Sequence, residues 1–134
     1  MKTRDDSHPH MELTDKIIGA AMAVHRALGP GLDEKIYENA LCIEFASQSL
    51  DFTQQERFPV FYRNKICGTL ITDLIVEGKV IIEAKVTDHI IDVHIAQLLS
   101  YLSITNLQIG LILNFKPMSL GIKRIANIYQ KNNP

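Results

Sequence analysis

The segment Lys79-Val-Ile-Ile-Glu-Ala-Lys85 sets two charges, Glu83 and Lys85, two positions apart in an apolar run. In an extended chain that spacing puts both on one face and leaves Ile82, Ala84 and Val86 on the other. The preceding run, Ile66 to Val76, holds a single acid, Asp73. Whether Asp73 joins Glu83 depends on the turn between them. A two-residue loop of Glu77-Gly78 pairs Asp73 with Ile82 and sends the acids to opposite faces. A three-residue loop with Gly78 in a left-handed conformation gathers Asp73, Glu83 and Lys85 on one face, and we expect this loop. Two carboxylates and a lysine so gathered suit metal-assisted phosphoryl chemistry. The carboxylates hold a hard divalent cation such as Mg²⁺ (or Mn²⁺) through oxygen, and the cation polarises a phosphoryl group and acidifies an attacking water. The lysine orients that water or stabilises charge building on the phosphate. The competing account is an ion-pair cluster on a solvated sheet face, and spacing alone does not separate the two.

Two further sets of polar residues stand near in sequence. His94, Gln97 and Tyr101 recur at i, i+3 and i+7, one polar stripe on an otherwise apolar helix that follows the Glu83/Lys85 strand. Glu34 and Tyr37 form an i, i+3 pair in the first turn of another helix, where a carboxylate also complements the helix dipole. Glu38 is a neighbouring substitute for Glu34. Each has a plainer account: His94 and Gln97 as surface residues, Tyr101 as a half-buried edge, Glu34 as a dipole partner, Tyr37 as core.

The elements that must carry these residues follow from periodicity. Ile17, Ile18, Ala21, Val24 and Leu28 recur at helical spacing from Leu13 on, and the stripe stops at Gly29-Pro30-Gly31. A second helix begins near Asp33, a candidate side-chain cap, and runs to about Ser47. From Phe52 the pattern changes to β-branched and aromatic runs, Phe52 to Tyr62, Ile66 to Val76 and Lys79 to Val86, with turns at Arg63-Asn64-Lys65 and Glu77-Gly78. These predict an antiparallel meander. Ile90 to Thr105 returns to helical spacing, Ile109 to Phe115 reads as a buried strand, and Gly121 to Tyr129 as a last strand or short helix. The order α-α-β-β-β-α-β-(β) is an α/β or α+β class, a mixed sheet flanked by helices. Residues 12–130 make one domain behind a flexible leader of residues 1–11, whose His8 and His10 are the only hint of a metal-binding tail.

Composition bounds the function. The 134 residues, 46% hydrophobic and 22% charged, suffice for one core and argue against disorder or a disulfide-built miniature. Cys42 and Cys67 lack zinc or disulfide spacing, which fits a reducing, cytoplasmic setting. No apolar run is long enough for a signal core or a membrane span. A net charge of −1 supplies no global attraction to phosphate backbones, so nucleic-acid binding needs a local patch from Lys65, Lys79, Lys116, Lys123, Arg124 and Lys131, or a homodimer that doubles the basic surface.

Taken in order, the motifs carry a family resemblance. Gly31-Leu-Asp-Glu34-Lys-Ile-Tyr37 resembles the G-x-x-E-x-x-Y signature of the GxxExxY proteins, with His25-Arg-Ala-Leu-Gly29 as lead-in. The likeness continues through Asp73, Glu83-Ala-Lys85, Gln97-Leu-Leu-Ser-Tyr101 and Gly110-Leu-Ile-Leu-Asn114-Phe115. Such proteins resemble the RecB-like branch of the PD-(D/E)XK nuclease superfamily. The resemblance implies a restriction-endonuclease-like core, Glu34, Asp73 and Glu83 as metal ligands, Lys85 as the catalytic lysine, and Gln97 and Tyr101 as supporting residues. It therefore implies an Mg²⁺-dependent nuclease acting on DNA or RNA. The alternative is a catalytically silent binding or scaffolding module on the same fold, in which the small size and near-neutral charge find their reason.

Overall fold

The computed structural model describes residues 9–127; His8, Tyr129 and Lys131, named above, lie outside them. Three helices and five strands follow in the order α1 (Met11–Leu28), α2 (Glu34–Ser47), β1 (Phe52–Tyr62), β2 (Lys65–Val76), β3 (Val80–Lys85), α3 (Asp92–Thr105), β4 (Ile109–Asn114) and β5 (Gly121–Ala126). The undecided last segment is a strand over its described part, and α1 begins two residues before the expected Leu13.

The helices end where backbone chemistry says they should. Gly29 takes φ 72 and returns its N–H to His25 O at 2.8 Å, closing α1. At the start of α2, Asp33 is the N-cap residue but its carboxylate makes no capping hydrogen bond, contrary to expectation; its backbone oxygen takes the Ile36 N–H at 3.0 Å instead. The Tyr37 hydroxyl does the tying, donating to Gly29 O and accepting from Leu32 N at 3.2 Å.

All five strands form one sheet in the order β1-β2-β3-β4-β5. β1, β2 and β3 are the expected antiparallel meander, β3 and β4 run parallel, and β5 closes antiparallel on β4. A parallel pair requires a crossover, and α3 supplies it. The central pair β3 and β4 is buried almost end to end, which is why both read as continuous apolar runs.

Two cores result. On one face Leu74, Val76, Val80, Ile82, Ala84 and Leu111 pack against α1 and α2. On the other, Ile75, Ile81, Ile112 and Ile125 pack against Leu98 and Leu102 of α3. Gly110 lets α3 approach: a Cβ there would stand 2.8 Å from the methyl groups of Leu98. The β2–β3 register decides which residues share a face. Val76 pairs with Val80, leaving a three-residue loop, Glu77 to Lys79, with Glu77 at φ 55 and Gly78 at φ 64. The Glu77 carboxylate accepts the Asp51 N–H at 2.7 Å, clamping this loop to the start of β1.

Candidate active site

With Val76 opposite Val80, strand alternation puts Asp73, Glu83 and Lys85 on the side that α3 covers, opposite to Ile82 and Ala84. Lys85 Nζ stands 4.0 Å from Glu83 Oε1, and Glu83 is only 6% exposed. The backbone opens at Asp73. The β2–β3 ladder stops at Leu74 and Ile82, and the Ala84 N–H goes to the Asp73 carboxylate. The β1–β2 ladder passes from Gln54↔Leu74 to Glu56↔Thr72, so Gln55, which stands across from Asp73, is left out of the pairing at φ 57. A non-glycine residue held in that region inside a strand costs on the order of 1 kcal/mol and is typical of a working site.

The kink at Gln55 has a visible result. Consecutive strand residues ordinarily point to opposite faces. Yet Gln54 Nε2 and Gln55 Nε2 both donate to Glu38 Oε2, at 2.8 and 2.9 Å, and Lys35 Nζ reaches the same oxygen at 3.3 Å. Glu38 is 3% exposed, so this bracket holds a buried carboxylate beside the sheet. Sequence reasoning kept Glu38 only as a substitute for Glu34 and did not find Gln54 or Gln55, since nothing in the strand pattern announces the kink.

The electrostatics identify the cluster as one unit. Burial pushes the Asp73 carboxyl up to about 6, reinforced by the charges of Glu38 and Glu34 and opposed by the Ala84 N–H and Lys85. Burial pushes Glu83 further, to about 8, with Asp73 adding and Lys85 subtracting. Tyr101 belongs to the same field: burial and then the Glu83 and Asp73 charges raise its phenol. The structure thus brings together Asp73, Glu83, Lys85 and Tyr101, with Glu34 and Glu38 near enough to act on both acids.

Other expected residues have different places. Gln97 is exposed on α3. His94 is a capping residue, its Nδ1 accepting the Ile91 N–H at 3.1 Å. Tyr37 is fully buried, stacked on Phe115 at 4.4 Å between ring centroids, so it fixes the loop and first turn that present Glu34. Asn114, 2% exposed, ties the exits of the two parallel strands: its Nδ2 donates to Thr87 O at 2.8 Å and its Oδ1 accepts Thr87 N at 3.1 Å.

The donor set fits a hard cation. Several carboxylates share a partly buried region with Lys85 as the near counter-charge of Glu83, and oxygen-only ligation by one or two carboxylates plus water is what Mg²⁺ takes. The three expected ligands do not form a closed cage: among the described residues, no three His, Cys, Asp or Glu side chains converge as a set able to hold an ion. Glu34 is the exposed member, and Asp73 with Glu83 is the close pair. No described helix is long and apolar enough to cross a membrane.

A family model described as the PD-(D/E)XK nuclease superfamily matches residues 11–125, which contain every site residue above and every element but the last residue of β5. No curated protein and no solved structure matches the chain.

Proposed function

We infer from the chain's belonging to the PD-(D/E)XK nuclease superfamily that it is a divalent-metal-dependent nuclease, hydrolysing phosphodiester bonds in DNA or RNA with Asp73 and Glu83 as metal ligands. The observation that carries the reading is the convergence of the buried Glu83, the half-buried Asp73 and Lys85 at an opened point of the sheet, both acids raised by burial and by neighbouring carboxylates. A purely structural role gives no reason to gather like charges there, because their repulsion is a cost to folding.

A divalent cation bound there supplies charge neutralisation at the phosphoryl oxygens and a more acidic water. The protein's own groups do the rest. Glu83 must lose its proton to bind metal, and Lys85 Nζ beside its Oε1 favours that loss. Lys85 then stands free to donate to a phosphoryl oxygen or to orient water. Glu38, held by Gln54 and Gln55, keeps Asp73 facing a fixed negative neighbour and so favours a cation between the strands and α2. The Tyr101 hydroxyl stays protonated in that field and serves as a donor at the site's α3 wall.

Incubation of labelled DNA and RNA strands with Mg²⁺ or Mn²⁺ tests this. Cleavage is expected in wild type, and Lys85→Ala should lose about 10² to 10³ of the rate, as removal of an electrostatic donor does elsewhere. Absence of cleavage of either polymer together with absence of calorimetric Mg²⁺ or Mn²⁺ binding would overturn the reading.

A further inference from the structure

β1 and β2 are longer than the sheet that holds them. β2 pairs with β3 only from Leu74 to Val76, so from Arg57 and Ile71 outward the two strands form a ribbon with no third strand beside it. Six residues on β1, Arg57 to Tyr62, span about 20 Å. The tip is a two-residue turn with Arg63 at φ 52 and Asn64 at φ 65, the left-handed pair that matches strand twist.

The ribbon's chemistry differs from that of the rest of the chain. Between Arg57 and Thr72 lie three cations, Arg57, Arg63 and Lys65, and no acid, in a chain of net charge −1. Phe61 and Tyr62 are 60% and 68% exposed, and they are the only exposed aromatic residues among those described. Phe61 faces the same side as its pair partner Ile66, itself 64% exposed, and Tyr62 the same side as Lys65. A two-stranded ribbon with bare aromatics is of marginal stability in water and calls for a partner. The base of the ribbon is the site: Asp73 is two residues past Ile71, and Gln55 two before Arg57.

We propose that this ribbon is the arm that grips the polynucleotide substrate, its aromatics stacking on unpaired bases and Arg57, Arg63 and Lys65 neutralising phosphates of a single strand led down to Asp73 and Glu83. Exposed rings interleaved with cations are the usual means of holding a single strand. Charge decides against a second copy of the chain, since two ribbons packed together would set like cations against each other. Continuity with the carboxylate site decides against a membrane surface. The arm rests on the nuclease reading for its substrate, and it answers how a near-neutral chain finds a polyanion.

The test is fluorescence anisotropy of the full chain with a labelled mixed-sequence DNA strand in Mg²⁺, in a Glu83→Gln background so that the strand stays intact. Two pairs of substitutions are added: Phe61→Thr with Tyr62→Thr, and Arg63→Asn with Lys65→Thr. All four sites are exposed, and asparagine accepts the left-handed turn, so circular dichroism is expected to stay unchanged. Each pair should weaken binding about tenfold or more. The charge pair should also flatten the log–log salt dependence by about 1.4. Unchanged affinity and unchanged cleavage in an otherwise wild-type chain that cuts would overturn the arm and leave the nuclease reading standing. Strand binding that depends on the ribbon in a chain that never cuts would support the arm and count against catalysis. Loss of a dimer in sedimentation, or loss of anionic-vesicle binding, with strand binding untouched would assign the ribbon to those partners and overturn the proposal.

Discussion

Glu83 is buried beside Asp73, and its carboxyl is held up to about 8 mainly by desolvation. A carboxyl raised on folding makes the folded state the better proton binder. Its stabilising contribution is complete below the ordinary Glu value near 4.5 and is lost as pH rises through about 8. Asp73, raised to about 6, behaves likewise over a lower window. Glu83→Gln should therefore stabilise the metal-free protein at pH 9, by roughly 2 kcal/mol after allowance for relaxation. Near pH 4 it should change little. Thermal denaturation of both proteins at the two pH values checks this. Stabilisation that is the same at both would mean that Glu83 titrates as an ordinary carboxylate.

At the scale of elements, what matters is how turns and helix ends hold the site residues in place. Tyr37 stacks on Phe115 and uses its hydroxyl to join Gly29 O and Leu32 N, so the α1–α2 loop and the start of β4's exit are held by one side chain. Tyr37→Phe keeps the stacking and drops the two hydrogen bonds. A loss of about 1 to 2 kcal/mol is expected in urea denaturation, with an unchanged m-value. α3 depends on close approach instead. Gly110→Ala would drive a methyl group to 2.8 Å from Leu98, forcing the helix that carries Tyr101 outward. About 1 to 3 kcal/mol should be lost, the range for overpacking. If Gly110→Ala were neutral, the α3 contact would be looser than these distances indicate.

At the scale of the whole molecule, the negative charge of the site and the positive ribbon divide a chain whose net charge is −1. Folding assembles an acid cluster at some cost, and a bound cation should return that energy. Saturating Mg²⁺ or Mn²⁺ is expected to raise the melting temperature, by the equivalent of about 2.7 kcal/mol at a hundredfold excess over Kd. The gain should shrink in Asp73→Asn and Glu83→Gln. Calorimetry in buffers of different ionisation enthalpy should also show proton release at pH 7, since Glu83 must deprotonate to ligate. Equal melting temperatures with and without either metal would remove the metal from the account.

The element order, the meander and the alignment of Glu83 with Lys85 were legible in the chain alone, because they rest on local periodicity and on the alternation of one strand, whereas the parallel pairing of β3 with β4 across α3 was not. Asp73 was legible only conditionally: its face depended on one residue in a turn, and the left-handed Glu77 and Gly78 settled it. Tertiary structure alone decided the rest. The Gln54 and Gln55 bracket on Glu38 needs a backbone kink and a helix from elsewhere in the chain. The clasp of Asn114 on Thr87 likewise joins residues far apart in the chain, which no spacing rule encodes, whereas the His94 cap and the Tyr37 hydroxyl bonds span only a few residues. The basic ribbon is the clearest case. The turn that sets Lys65 beside Arg63 and Tyr62 was legible, but only the assembled sheet, in which β3 pairs with β2 no further than Leu74, leaves that turn on an arm without a third strand. Local sequence determines which residues can share a strand face; which faces stay bare is a property of the assembled sheet.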